Sequence, residues 1–193
     1  MKMNKIVLAS LLSVSLLGAS TSVFADSTND VTTTNFTVEK GTLAFAKDPE
    51  DGTKNAITHD LTFKSASVAD LLSTDYTDSK PFSASVTDTT GNPDQGWTLT
   101  ANYTPLKNVT GTKTSYLGET LTIGDKDLTA NKGSNVVYSV DGAEDVKAFA
   151  NPDLKGTITK NDDATLKIKA GTGAVAGTYS GKIDWVLEAA PAN

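Results

Sequence analysis

A two-residue rhythm of apolar side chains constrains this sequence more than any other feature. Phe82, Ala84 and Val86 alternate with Ser83, Ser85 and Thr87, and Trp97, Leu99, Ala101 and Tyr103 alternate with Thr98, Thr100, Asn102 and Thr104. Leu166, Ile168 and Ala170 enclose Lys167 and Lys169. Tyr179, Gly181, Ile183, Trp185 and Leu187 are interleaved with Ser180, Lys182, Asp184 and Glu188. Successive strand residues point to opposite faces, so this spacing describes strands with one dry and one wet face. Turn residues punctuate them: Asp51-Gly52, Gly91-Asn92-Pro93, Gly124-Asp125, Lys132-Gly133, Asp141-Gly142, Asn161-Asp162-Asp163 and Gly171-Thr172-Gly173. Residues 66–72 alone read as a short helix. The expected fold is a single all-β domain with little helix, an antiparallel β-sandwich or a Greek-key barrel.

The N-terminus reads as an address. Lys2 and Lys5 precede an apolar run, Ile6 to Leu17, too short to span a bilayer, and Val23-Phe24-Ala25 offers a cleavage site. Residues 1–25 are therefore expected to be a signal peptide, 26–34 a loose lead-in and 35–193 the domain. After Glu188 the sequence carries no hydrophobic tail and no sorting signal, so attachment to a cell is expected to be noncovalent.

Composition removes several kinds of chemistry. The 193 residues include no Cys and one His, and the formal net charge is -6. Without Cys there is no disulfide scaffold, thiolate zinc site or cysteine nucleophile. An acidic chain without Arg lacks the basic face that phosphate backbones require. An exported chain without Cys fits a bacterium that lacks an oxidising periplasm.

The remaining candidates for chemistry are weak. Asp48, Glu50 and Asp51, Asp125 and Asp127, and Asp162 and Asp163 sit beside Gly, Pro or Asn. They fit solvated turns better than a calcium loop, which needs a twelve-residue frame and a closing Glu. They also lack the aromatic platforms expected of a glycosidase. His59 has no serine elbow to serve, and no Gly-x-Ser-x-Gly occurs. The Gly171–Gly177 run opens no helix and is no phosphate cradle. The chain thus reads as a binding protein and not an enzyme, with no catalytic residue, metal or cofactor.

Two tryptophans stand alike. Gly96-Trp97-Thr98-Leu99 and Asp184-Trp185-Val186-Leu187 are each Trp-x-Leu on an alternating strand with a proline several residues on. Both pairs share the face of the other apolar residues, which favours a place in the core. An exposed ring edge over a ligand is the alternative.

These two motifs give the chain its resemblance. With Val86-Thr87-Asp88 and Gly96 ahead of the first motif and Ala176-Gly177-Thr178-Tyr179-Ser180-Gly181 leading into the second, the chain resembles the WxL-domain surface proteins of Gram-positive bacteria, in their small single-domain form. The resemblance implies a secreted protein of the cell wall or cell surface that binds peptidoglycan noncovalently and takes part in a surface complex. It implies two partners besides peptidoglycan: a membrane-anchored WxL-associated protein and a larger WxL protein. It also gives Trp97, Leu99, Trp185 and Leu187 as binding determinants. Nucleic acid and membrane insertion of the mature chain are not expected. The alternative is a structural subunit that binds only a partner surface protein, by an exposed sheet edge.

Overall fold

Among residues 36–92, 94–111, 115–129 and 134–190, which the computed structural model describes, the alternating segments form strands. In chain order the elements are β1 (Leu43–Phe45), α1 (Val68–Ser73), β2 (Tyr76–Asp88), β3 (Trp97–Asn108), β4 (Thr120–Ile123), β5 (Lys126–Asp127), β6 (Ser134–Val140), α2 (Gly142–Ala150), β7 (Thr157–Ile168) and β8 (Tyr179–Ala189). They belong to one compact unit, Val38–Asn193. The expected signal peptide, the lead-in and the Lys132-Gly133 turn lie outside the described residues.

The fold is all-β, as the alternation requires. One sheet has the order β1-β2-β7-β4-β5 and the other β6-β3-β8, and every pairing is antiparallel. Phe82, Ala84 and Val86 of the first sheet and Trp97, Leu99 and Ala101 of the second are all buried, so the dry faces meet. On the outer face of β2 and β7, hydroxyls pair across the strands: Ser79 with Thr165, Ser85 with Thr159 and Thr87 with Thr157, each at 2.8 Å.

Pro81 lies within β2 without breaking it. The N–H groups of Ser83 and Ser85 point away from β7, to Thr58 Oγ1 and the Ala56 carbonyl. Pro81 has the same parity, so its missing N–H faces the side where β7 asks for no donor.

Two local expectations are corrected. Asn161-Asp162-Asp163 is no turn but the middle of β7, in register with Ser83, Phe82 and Pro81 of β2. The long partner strand holds the backbone extended, and the polar side chains stay exposed. Asp141-Gly142 opens a helix instead of a turn: the Asp141 carboxylate accepts a hydrogen bond from the Glu144 N–H at 2.8 Å and caps α2. The helix expected over 66–72 is present as α1, capped by Ser67 Oγ, which accepts from the Asp70 N–H at 3.0 Å.

Candidate functional site

The two motifs, more than eighty residues apart in sequence, lie side by side. β3 and β8 pair so that Leu99 faces Leu187, Trp97 faces Ala189 and Ala101 faces Trp185. Each motif therefore extends to Trp-x-Leu-x-Ala, and the antiparallel register sets each large ring against the other motif's alanine. Directly opposed side chains lie about 5 Å apart at Cβ, where two indoles would collide. The alanines, missed as part of the motif, were visible in the sequence as a repeated position.

Despite this symmetry, the two tryptophans have different surroundings. β3 is the central strand of its sheet, and Trp97 is 1% exposed and Leu99 0%. Trp97 has no surface to offer a ligand. β8 is an edge strand, and Trp185 and Leu187 are half-buried. Trp185 stacks on Phe82 from the opposite sheet, with ring centroids 5.2 Å apart and planes 29° from parallel. Phe82 also stacks on Tyr138 of β6, at 6.5 Å. The Tyr138 hydroxyl donates to Asp162 Oδ2 at 2.9 Å, tying β6 to β7 across the sandwich.

The remaining side of Trp185 lines a cleft of about 770 Å³ between the sheets, where β8 faces residues 58–66. Tyr103, Leu106, Tyr179 and Ile183 continue its wall, and Lys64 and Lys182 stand among its polar groups. No backbone hydrogen bond joins residues 59–66 to β8 among the described residues.

Glu119 holds two residues of this cleft wall, Tyr103 and Leu106. It is buried, and Oε1 accepts from the Tyr103 hydroxyl at 2.6 Å and from the Leu106 N–H at 2.7 Å. The second bond falls where the β3–β8 register shifts between Thr104 and Lys107, so a side chain takes over from the ladder. Burial first and Glu119 next drive the Tyr103 hydroxyl far above its usual pKa. Glu119→Ala would strand two part-buried donors and is expected to cost about 2 kcal/mol in urea unfolding.

A second cluster lies beneath Trp97. Asp88 and Asp145 are both buried. Burial, then the Asp88 carboxyl, pushes Asp145 up to about 7, while the indole of Trp97 pulls the other way. The Trp97 Nε1 and Asp145 Oδ1 atoms nevertheless close no hydrogen bond of good geometry with any group.

Of the acidic clusters, those around Asp48–Asp51 and at Asp125 lie in turns, whereas Asp127 lies in β5 and Asp162 and Asp163 in β7. Asp48 Oδ1 accepts from the N–H groups of Glu50 and Asp51, Asp51 binds Thr53, and Asp125 pairs with Lys126. Among the described residues no three His, Cys, Asp or Glu side chains converge as a metal site. The His59 ring meets the Asn55 carbonyl at 3.0 Å. No described helix is long and apolar enough to cross a membrane.

These features define a class: a two-sheet antiparallel β domain with an aromatic cleft along one edge. No protein-family model matches the chain, and no curated protein matches it.

Proposed function

We propose that the chain is a non-enzymatic WxL-type binding domain that holds peptidoglycan noncovalently at the cell surface, with Trp185 at its ligand cleft. The pairing of the two Trp-x-Leu segments around Leu99 and Leu187 carries this reading. It gives the shared motif one physical purpose, closing the sheet, and leaves one of its rings beside an open cleft. Peptidoglycan offers acetamido sugars with apolar faces and short peptides that bear carboxylates. Trp185, Tyr103 and Tyr179 suit the former, and Lys64 and Lys182 suit the latter. Trp97 and Leu99 then act by building the domain, and Trp185 and Leu187 act at its edge. A membrane-anchored partner and a larger WxL protein complete the assembly that the resemblance implies.

A second reading rests on a separate observation. Among the described residues, the 11-residue β8 has β3 on one side and no strand on the other. A partner protein could add a strand there, and the domain would then be a subunit without its own hold on the wall.

Sedimentation with peptidoglycan stripped of proteins and anionic polymers separates the two. The protein is expected to cosediment, and Trp185→Phe is expected to weaken retention severalfold while melting shifts little, because phenylalanine keeps the stack on Phe82 but covers less of the cleft. Trp97→Phe, if folded, is expected to retain wild-type binding. Recovery on peptidoglycan only when a partner protein is added would replace the first reading with the second.

A further inference from the structure

The acid pair beneath Trp97 has no part in the cleft. Asp88 ends β2, Trp97 begins β3, and Asp145 lies on the inner face of α2 together with Ala148. The helix has little else to hold it. Its buried residues are Asp145 and Ala148, while Val146 and Phe149 are 41% and 54% exposed. The following turn returns to the same corner: the Gly156 N–H donates to the Ala148 carbonyl at 3.1 Å, and the Asp88 N–H donates to the Gly156 carbonyl at 2.9 Å. A Cβ at Gly156, where φ is +76°, would overlap the Asp88 carbonyl oxygen. The backbone thus brings Asp88 to the end of α2 whose inner face carries Asp145. Asp145 Oδ1 meets no hydrogen-bond donor among the described residues, and two ionised carboxylates close together in a buried site repel strongly.

We infer that Asp145 keeps its proton in the folded chain, beside the buried Asp88 carboxyl, and that this proton locks α2 over the buried Trp97 end of the sandwich.

The surrounding charges leave the pair unneutralised. On α2, Glu144 adds repulsion, and Asp141 is engaged in capping. From β7, Lys160 reaches the corner but is paired with Glu144 at 2.6 Å. From the loop after β2, the Thr90 N–H donates to Asp88 Oδ1 at 2.7 Å. From β3 comes only the indole of Trp97. Among the described residues no lysine acts on Asp145.

The sign of the effect follows. The unfolded chain releases the Asp145 proton near the ordinary value of 3.8 and the folded chain only near 7, so the folded state binds more protons between those values. Its contribution to stability is complete below the lower value and is lost as pH rises through the upper one. In that window each pH unit raises the unfolding constant by up to about tenfold. The carboxylates whose pKa values are lowered (Asp51, Asp75, Asp78 and Asp125) act with the opposite sign and at lower pH.

The test is unfolding of the full chain by urea from about pH 5 to about pH 8. Stability is expected to fall across this range, and Asp145→Asn, which keeps the shape and cannot ionise, is expected to flatten the dependence. Equal slopes in the two proteins would overturn the inference. Should Asp145→Asn not fold, infrared spectra of the unmutated chain decide. A protonated carboxyl band present near pH 6 and gone near pH 8 supports the held proton, and its absence near pH 6 or its persistence at pH 8 refutes it. Hydrogen exchange tests the lock: α2 amides are expected to lose protection relative to β3 amides at the higher pH. An unchanged ratio would show that the proton does not hold the helix.

Discussion

Trp97→Ala is expected to destabilise the domain by about 3–5 kcal/mol, enough to unfold a large fraction of a marginally stable chain. Trp97 is 1% exposed in the central strand of its sheet. The residue facing it on β8, Ala189, has only a methyl group, too small to fill the space. Trp185→Ala deletes the same atoms from an edge strand, where the ring is half-buried, and is expected to cost roughly half as much. Denaturant unfolding of the two variants under one condition measures the difference. Equal losses would mean that the motif's symmetry, and not each ring's position, sets its contribution.

Gly96→Ala is expected to cost about 3 kcal/mol or more, an effect comparable to losing the tryptophan beside it. Gly96 is wedged between two strands: its carbonyl accepts from the Ala190 N–H at 2.8 Å, and a Cβ on it would overlap the Val140 carbonyl oxygen at the end of β6. The obstructing atoms are backbone, so no rotamer change relieves them, and the β6-β3-β8 sheet must shift instead. Gly52→Ala is the control. Nothing lies within 4 Å of a Cβ there, and its effect is expected to stay within about 0.5 kcal/mol. A melting curve for each variant checks both values.

How much of this was legible in the sequence depended on whether the deciding contacts are local. The faces of β2, β3 and β8 were readable because a strand's burial pattern is written in its own alternate residues. α2 was not read, since Asp141-Gly142 carries the composition of a turn. Asp141 with Glu144 three positions on is also a helix-opening pattern, and that spacing was the available signal. Asn161-Asp162-Asp163 looked like a turn because its extended state is imposed by β2, some eighty residues earlier. The candidate site divides in the same way. Trp97, Leu99, Trp185 and Leu187 could be named from spacing, but which tryptophan is enclosed depends on strand order, which alternation does not encode. The Asp88–Asp145 pair joins a strand end to an unread helix and left no trace in the sequence.

The placement of β8 also bears on when the fold can form. β8 is the last described strand, yet it supplies the partner row for β3 and the ring that stacks on Phe82. β7, only slightly earlier, pairs with β2 along twelve positions. Both sheets are therefore completed by strands that follow their partners by some seventy residues or more, so loop closure must be met before either pairing is rewarded. A ribosome-bound chain that lacks this final stretch holds β2 with β1 alone and β3 with β6 alone. Their apolar faces stay available to chaperones until synthesis has passed Leu187.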